Sequence, residues 1–320
     1  ARYHEVEFFS QEHMQLLEKH LKPYFDIGGS SITATIVDDP WHHQTFDPYP
    51  SMVQWIYSKE KGFQYDFTVL EKWLSFCYRQ ADIQAVQLFS PLPWNHQIKY
   101  YDMDLEKECI MTLCPNEEQW HKIWFEFLKA LGIFLQKHHY LDDVYLAIDE
   151  RPLEELKAVL NLRDELKKQE GLYFKVHAAL NYTSFDMYFL NRFDDLSLQL
   201  CEVSKMSKEL ASFLSCRKSK GFTTSLYSAV SDFPNSFLFS EPIETYWIIF
   251  YAYVLGFDGF MRWAYDAWVE NPKEDASHWY WESGDTSLIY PDAQKSLRLL
   301  MLEMAYQDIT KIDSLYIQRK

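Results

Sequence analysis

The feature that most constrains this chain is the regular alternation of strand-like and helix-like segments along its 320 residues. Short β-branched or apolar runs are followed by stretches carrying apolar residues at helical spacing. Residues 32–37 (ITATIV), 85–90 (AVQLFS), 144–149 (VYLAID), 173–181 (YFKVHAALN), 196–203, 222–230 and 259–265 (GFMRWAY) read as strands, and the aromatic run 3–9 as a weaker first one. Helical spacing covers 12–25, capped by Ser10, then 67–79, 117–139, 153–168, 205–217, 242–255 and 293–309, with a short irregular helix after Asn181. Residues 38–65 form a long polar and aromatic loop. Eight strands alternating with eight helices imply parallel strands joined by crossover helices, and at this length a (β/α)8 TIM-type barrel of the α/β class. Composition does not shift along the chain and no repeat or linker interrupts it, so one barrel domain over residues 1–320 is expected. An open doubly wound sheet would be expected to show a Gly-rich phosphate turn early, and none is present.

Charge and cysteine content narrow the function. Acids outnumber bases 47 to 31, a net charge of −16, which repels a phosphate backbone and argues against nucleic acid as a partner. The five cysteines, Cys77, Cys109, Cys114, Cys201 and Cys216, are odd in number and scattered. They match neither a disulfide framework nor a zinc site, although Cys109 and Cys114 are near enough in sequence to pair. No run is long and apolar enough to span a membrane, and no signal peptide is present. Either a cytoplasmic location or secretion after removal of a leader fits.

In a barrel the working residues sit at the C-terminal ends of the strands. The sharpest of these ends is IDERP (148–152), where an apolar strand delivers the adjacent acids Asp149 and Glu150. Consecutive strand residues point to opposite faces, so both acids reach one pocket only if the strand stops there. The alternative is that the acids favour the positive N-terminus of the next helix. Other strand ends bring Trp41, Trp55, Trp94, Trp263 and Trp268, together with Asn95, Asn181, Tyr182, Tyr227, Tyr265, Asp285 and Tyr290, and Glu244 follows at the next helix. Flat rings beside amides and carboxylates suit a polyol, whose hydroxyls need fork-like partners and whose ring faces need apolar ones. His42-His43 and His138-His139 lack the spacing of a metal motif, so no metal and no cofactor are expected.

These strand ends resemble glycoside hydrolase family 123, the β-N-acetylgalactosaminidases. The likeness rests on ITATIVDDPWHHQTFDPYPSMVQW, PLPWN, AIDERPLEEL, ALNY, FPNSFLFSEPIE, GFDGFMRWAYDAWVENPKED and GDTSLIYP, in the family's order and over nearly the whole chain. The family usually has Gly after Tyr-Pro in the final loop, where this chain has Asp292, and the stretch 183–195 also diverges. Membership implies a retaining mechanism in which the substrate's 2-acetamido oxygen attacks the anomeric carbon and forms an oxazolinium ion. It implies Asp149 as the group that orients the acetamido and Glu150 as the general acid/base, with an oligosaccharide or glycolipid as substrate. Two other readings stay open: a glycan-binding barrel without catalysis, and a retaining glycosidase with its own carboxylate nucleophile, Glu244 or Asp266. The second would need two carboxyl groups about 5–5.5 Å apart.

Overall fold

The computed structural model describes residues 1–182, 187–206 and 209–317. The chain divides into two compact units, one of Ala1–Gly29, Gln44–Asp47 and Ala179–Lys320, the other of Ser30–His43 and Pro48–Ala178. The first opens on helix α1 (Gln11–Asp26), whose Ser10 cap accepts the His13 N–H at 3.1 Å, as expected. The expected strand over 3–9 is not one. Arg2–His4 is a turn of 3-10 helix, and Glu5 and Phe9 take positive φ of 52° and 59°, which an extended ladder cannot hold.

The second unit carries the strands nearest the acidic pair. β1 (Ser31–Thr35) leads through a hairpin of β2 (Gln54–Ser58) and β3 (Gly62–Asp66) to α2 (Thr68–Gln80) and β4 (Ala85–Phe89). A second hairpin, β5 (Gln97–Asp102) and β6 (Lys107–Thr112), precedes α3 (Glu118–Lys137), β7 (Val144–Ile148), α4 (Leu153–Glu170) and β8 (Lys175–Leu180). β1, β4, β7 and β8 are parallel neighbours in that order. All five residues of β7 are buried, as a strand covered on both faces requires. The apolar stripes of α2 (Leu70, Trp73, Leu74) and α3 (Trp124, Phe127, Leu131) are buried with it. The two hairpins join as a sheet in the order β3-β2-β5-β6. Residues 54–58 and 62–65 of the expected loop 38–65 are therefore strand, and Trp55 alternates inward from β2 onto Phe127.

The rest of the first unit contains α5 (Met187–Leu190), β9 (Asp195–Gln199), α6 (Leu200–Lys205), α7 (Leu210–Ser219), β10 (Thr223–Tyr227), α8 (Pro242–Leu255), β11 (Gly259–Phe260), the short pair β12 (Ile289–Tyr290) and β13 (Gln294–Lys295), and α9 (Leu297–Ile317). β9, β10 and β11 are parallel neighbours. Buried Arg217 ties α7 to this sheet by donating to Thr224 Oγ1 at 2.7 Å and to the carbonyls of Leu190, Phe193 and Thr223. The alternation of strand and helix thus stands and the fold is α/β. Among the described residues β1 pairs only with β4 and β11 only with β10, and the expected strand 259–265 is laddered over just two residues. The five cysteines are free thiols. Residues 183–186, within the NYTSFD strand end, lie outside the described residues, as do 207 and 208 within the helix expected over 205–217.

Candidate active site

In the second unit β7 stops at Ile148, which releases Asp149 and Glu150 from strand alternation. Both are half-buried. Asp149 is held by two donors: its Oδ1 accepts the Glu150 backbone N–H at 2.9 Å, and its Oδ2 accepts the Trp94 indole N–H at 2.9 Å. A carboxylate bound through both oxygens keeps one orientation.

Trp94 belongs to the segment after β4. That segment is tied to β7 by Ser90, whose hydroxyl donates to the Ala147 carbonyl at 2.7 Å and accepts the Leu92 N–H at 3.1 Å. Arg151 supports the indole from the other side. Its guanidinium lies 5.0 Å from the Trp94 ring centroid, and its Nε donates to Glu155 at 2.7 Å. It also meets His96 Nε2 and, at 3.5 Å, the Trp94 carbonyl. Arg151 is buried and Glu155 partly so, with side chains 6% and 16% exposed, so the guanidinium depends on the carboxylate for its partner. Arg151, Glu155 and His96 were not singled out in the sequence. The i,i+4 spacing of Arg151 and Glu155 at the start of α4 was the available cue.

The remaining candidates of this unit serve the protein more visibly than a ligand. The Asn95 amide bonds the Gln97 side chain and backbone and approaches His42 Nδ1 at 3.4 Å. Trp41 is buried with its ring 4.8 Å from Phe89. Trp55 is 2% exposed, stacked 4.3 Å from Phe127, and donates to the Ile36 carbonyl, so its faces are filled by core.

The first unit has its own polar and aromatic cluster. Buried Asp285 accepts from Arg262 at 2.8 Å and from the Trp263 indole at 3.1 Å. Trp263, half-buried, stands edge-on to Trp281 at 6.0 Å. Trp268 is buried against Tyr3, His4 and His20 and donates to the Ile289 carbonyl, which makes it a core residue. The Tyr265 hydroxyl donates to the His20 carbonyl, and burial pushes its pKa up. Tyr227, at the end of β10, is 9% exposed, Asn181 is exposed at the end of β8, and Tyr182 and Tyr290 are half-buried. Glu244 closes a capping box on α8, with its oxygens accepting the backbone N–H groups of Asn235 and Glu241. Asp266 keeps some surface, yet its carboxyl is so closely surrounded that burial raises its pKa. A carboxyl bound in a helix cap and one biased toward the neutral form are both poor nucleophiles.

A parallel α/β scaffold that ends a buried strand in two acids beside a tryptophan has the parts a glycosidase uses. The profile of the glycoside hydrolase 123 catalytic domain matches residues 1–315, and the chain belongs to that family. A solved structure of a family 123 glycoside hydrolase from Clostridium perfringens, described in terms of glycolipid glycan hydrolysis, superposes with a TM-score of 0.93 at 31% identity. The match covers 99% of this chain and 58% of that one, so this chain spans little more than half the length of that relative. A GH39 β-xylosidase from Caulobacter crescentus superposes with a TM-score of 0.50 at 10% identity over 92% of this chain and 67% of its own, a likeness of fold alone. No curated protein sequence matches the chain. No described helix is long and apolar enough to cross a membrane.

Proposed function

We propose that this chain is a retaining glycoside hydrolase that releases β-linked N-acetylgalactosamine from glycans or glycolipids by substrate-assisted catalysis. The observation that carries the reading is the fixed Asp149 carboxylate, bound by the Trp94 indole and the Glu150 N–H, at the end of a buried strand in a family 123 chain. The substrate acetamido oxygen attacks the anomeric carbon as the glycosidic oxygen leaves with the Glu150 proton. Asp149 accepts the acetamido N–H and stabilises the positive charge of the oxazolinium ion. Water, deprotonated by Glu150, then attacks the same carbon, opens the ring and yields the product with retained configuration. For the first step Glu150 must be protonated, as the role of general acid requires. The glycolipid as a substrate class is supported by the description of the clostridial relative.

Turnover of an aryl β-N-acetylgalactosaminide tests the reading directly. A purely glycan-binding protein would bind the sugar and release no aryl alcohol.

Trp94→Phe keeps a ring over Arg151 and removes the donor to Asp149. A hydrogen bond to a charged group is worth about 1.5–3 kcal/mol, so kcat/KM should fall about 10- to 100-fold. The fold should survive, as read by urea unfolding, and an unchanged kcat/KM would take Trp94 out of the catalytic group.

Of Trp94, Trp263 and Trp268, Trp94 bonds Asp149 and Trp268 is buried, which leaves half-buried Trp263 as the candidate pocket wall. Trp263→Ala should weaken sugar binding by roughly 1–3 kcal/mol, the scale of stacking on an aromatic face. Calorimetry on the folded variant measures this, and unfolding instead would mark Trp263 as core.

A further inference from the structure

The segment after β1 gathers three metal-binding side chains that the functional reading does not use. Asp39, His42 and His43 each offer a ligand atom, and these atoms lie within 4.8 Å of one another. The grouping follows from the backbone. Asp39, His42 and His43 all take positive φ, of 42°, 48° and 62°, a conformation that side chains rarely adopt and that curls the chain tightly. The His42 N–H donates to the Asp39 carbonyl at 3.0 Å, and the His43 N–H donates to the Asp39 carboxylate at 3.2 Å. Both imidazoles come to one side, with centroids 4.9 Å apart, and His43 Nδ1 stands 3.7 Å from Asp39 Oδ2. The turn is anchored where the Trp94 N–H donates to the Pro40 carbonyl at 2.9 Å, and the Trp41 ring beside it is buried.

We propose that Asp39, His42 and His43 form a binding site for a borderline divalent cation of the zinc type. Two imidazoles and one carboxylate are the donor set that such ions prefer over magnesium or calcium. With metal–ligand bonds of about 2.0–2.2 Å, donors around one tetrahedral ion lie about 3.3–3.5 Å apart. The Asp39–His43 spacing of 3.7 Å is close to this, the widest spacing in the group is up to 4.8 Å, and the exposed rings of His42 and His43 can turn to close on an ion. Three protein ligands leave the remaining positions to water. Sequence spacing alone gave no reason to expect the site, because its ligands come from a left-handed turn and not from one face of a helix.

The test is calorimetric titration of the full chain with Zn2+ alone, in a non-chelating buffer, compared with the His42→Ala, His43→Ala and Asp39→Asn variants. The expected result is one zinc per chain, with affinity weakened about 10-fold or more in each variant. Replacing Zn2+ with Co2+ should give visible absorption bands that the His42→Ala variant lacks. The histidines are on the surface, so the variants should keep the wild-type circular dichroism and unfolding midpoint. Absence of zinc binding by the wild type, or binding undiminished in either histidine variant, overturns the site. Because binding is read without substrate, this outcome is separate from the fate of the proposed hydrolase activity.

Discussion

Glu150→Gln is expected to slow the hydrolysis of β-N-acetylgalactosaminides with poor leaving groups by at least ~100-fold, the lower end of what general acid catalysis supplies. The substitution keeps the shape of the side chain and removes the proton that the departing oxygen needs. Aryl substrates whose leaving groups are already weak bases should lose much less, since they need little protonation. A Brønsted plot of kcat/KM against leaving-group pKa, steeper for the variant than for the parent, is the diagnostic. Equal and small losses across the series would remove Glu150 from the acid/base role. Urea unfolding should be little altered, because a half-buried side chain at a strand end bears little of the core.

That Asp149 and Glu150 stand out in the sequence has a local cause. The run before them is continuously apolar and β-branched enough to be only a buried strand, and Pro152 begins the turn into α4. Such information lies within a few residues and survives in a single chain. The Trp94 bond to Asp149 does not, because it joins residues 55 positions apart. Aromatic side chains are the least legible. In the segment 38–65, Trp55 faces the core only because the chain there folds into strands, and nothing local separates a sheet-facing ring from a sugar-facing one. Trp268 was hidden for the same reason, as its partners Tyr3, His4 and His20 lie at the far end of the sequence.

Backbone handedness explains two further differences. The run 3–9 has the composition of a strand, yet left-handed Glu5 and Phe9 interrupt it. Asp292, where the resembled family usually has Gly, takes a φ of 63°. Gly meets that demand without cost, and Asp is among the few other residues that tolerate it, here with its carboxylate paired to Lys273 at 2.8 Å. The departure at Asp292 is therefore compatible with the left-handed backbone at that position.

Substrate assistance and a protein nucleophile part most sharply over what happens at the anomeric carbon. If the acetamido group attacks, a stable thiazoline mimic of the oxazolinium ion should inhibit competitively and bind more tightly than the product sugar, since it resembles a species close to the transition state. Asp149→Asn should abolish much of that advantage. The variant keeps an acceptor oxygen for the Trp94 indole but loses the negative charge that faces the ring nitrogen in the proposed complex. The loss should fall on the thiazoline and spare the neutral product sugar, a contrast that a general loosening of the site would not produce. A 2-deoxy-2-fluoro glycoside should leave the chain unmodified, because it lacks the acetamido oxygen and no side chain takes its place. Glu244 has its oxygens engaged in the cap of α8, and burial biases Asp266 toward the neutral form, so neither is placed to substitute. Intact-mass spectrometry after such treatment reads the answer in one measurement. A stoichiometric glycosyl adduct on Glu244, Asp266 or any other carboxylate would overturn the assisted mechanism, even with the family and the sugar specificity unchanged.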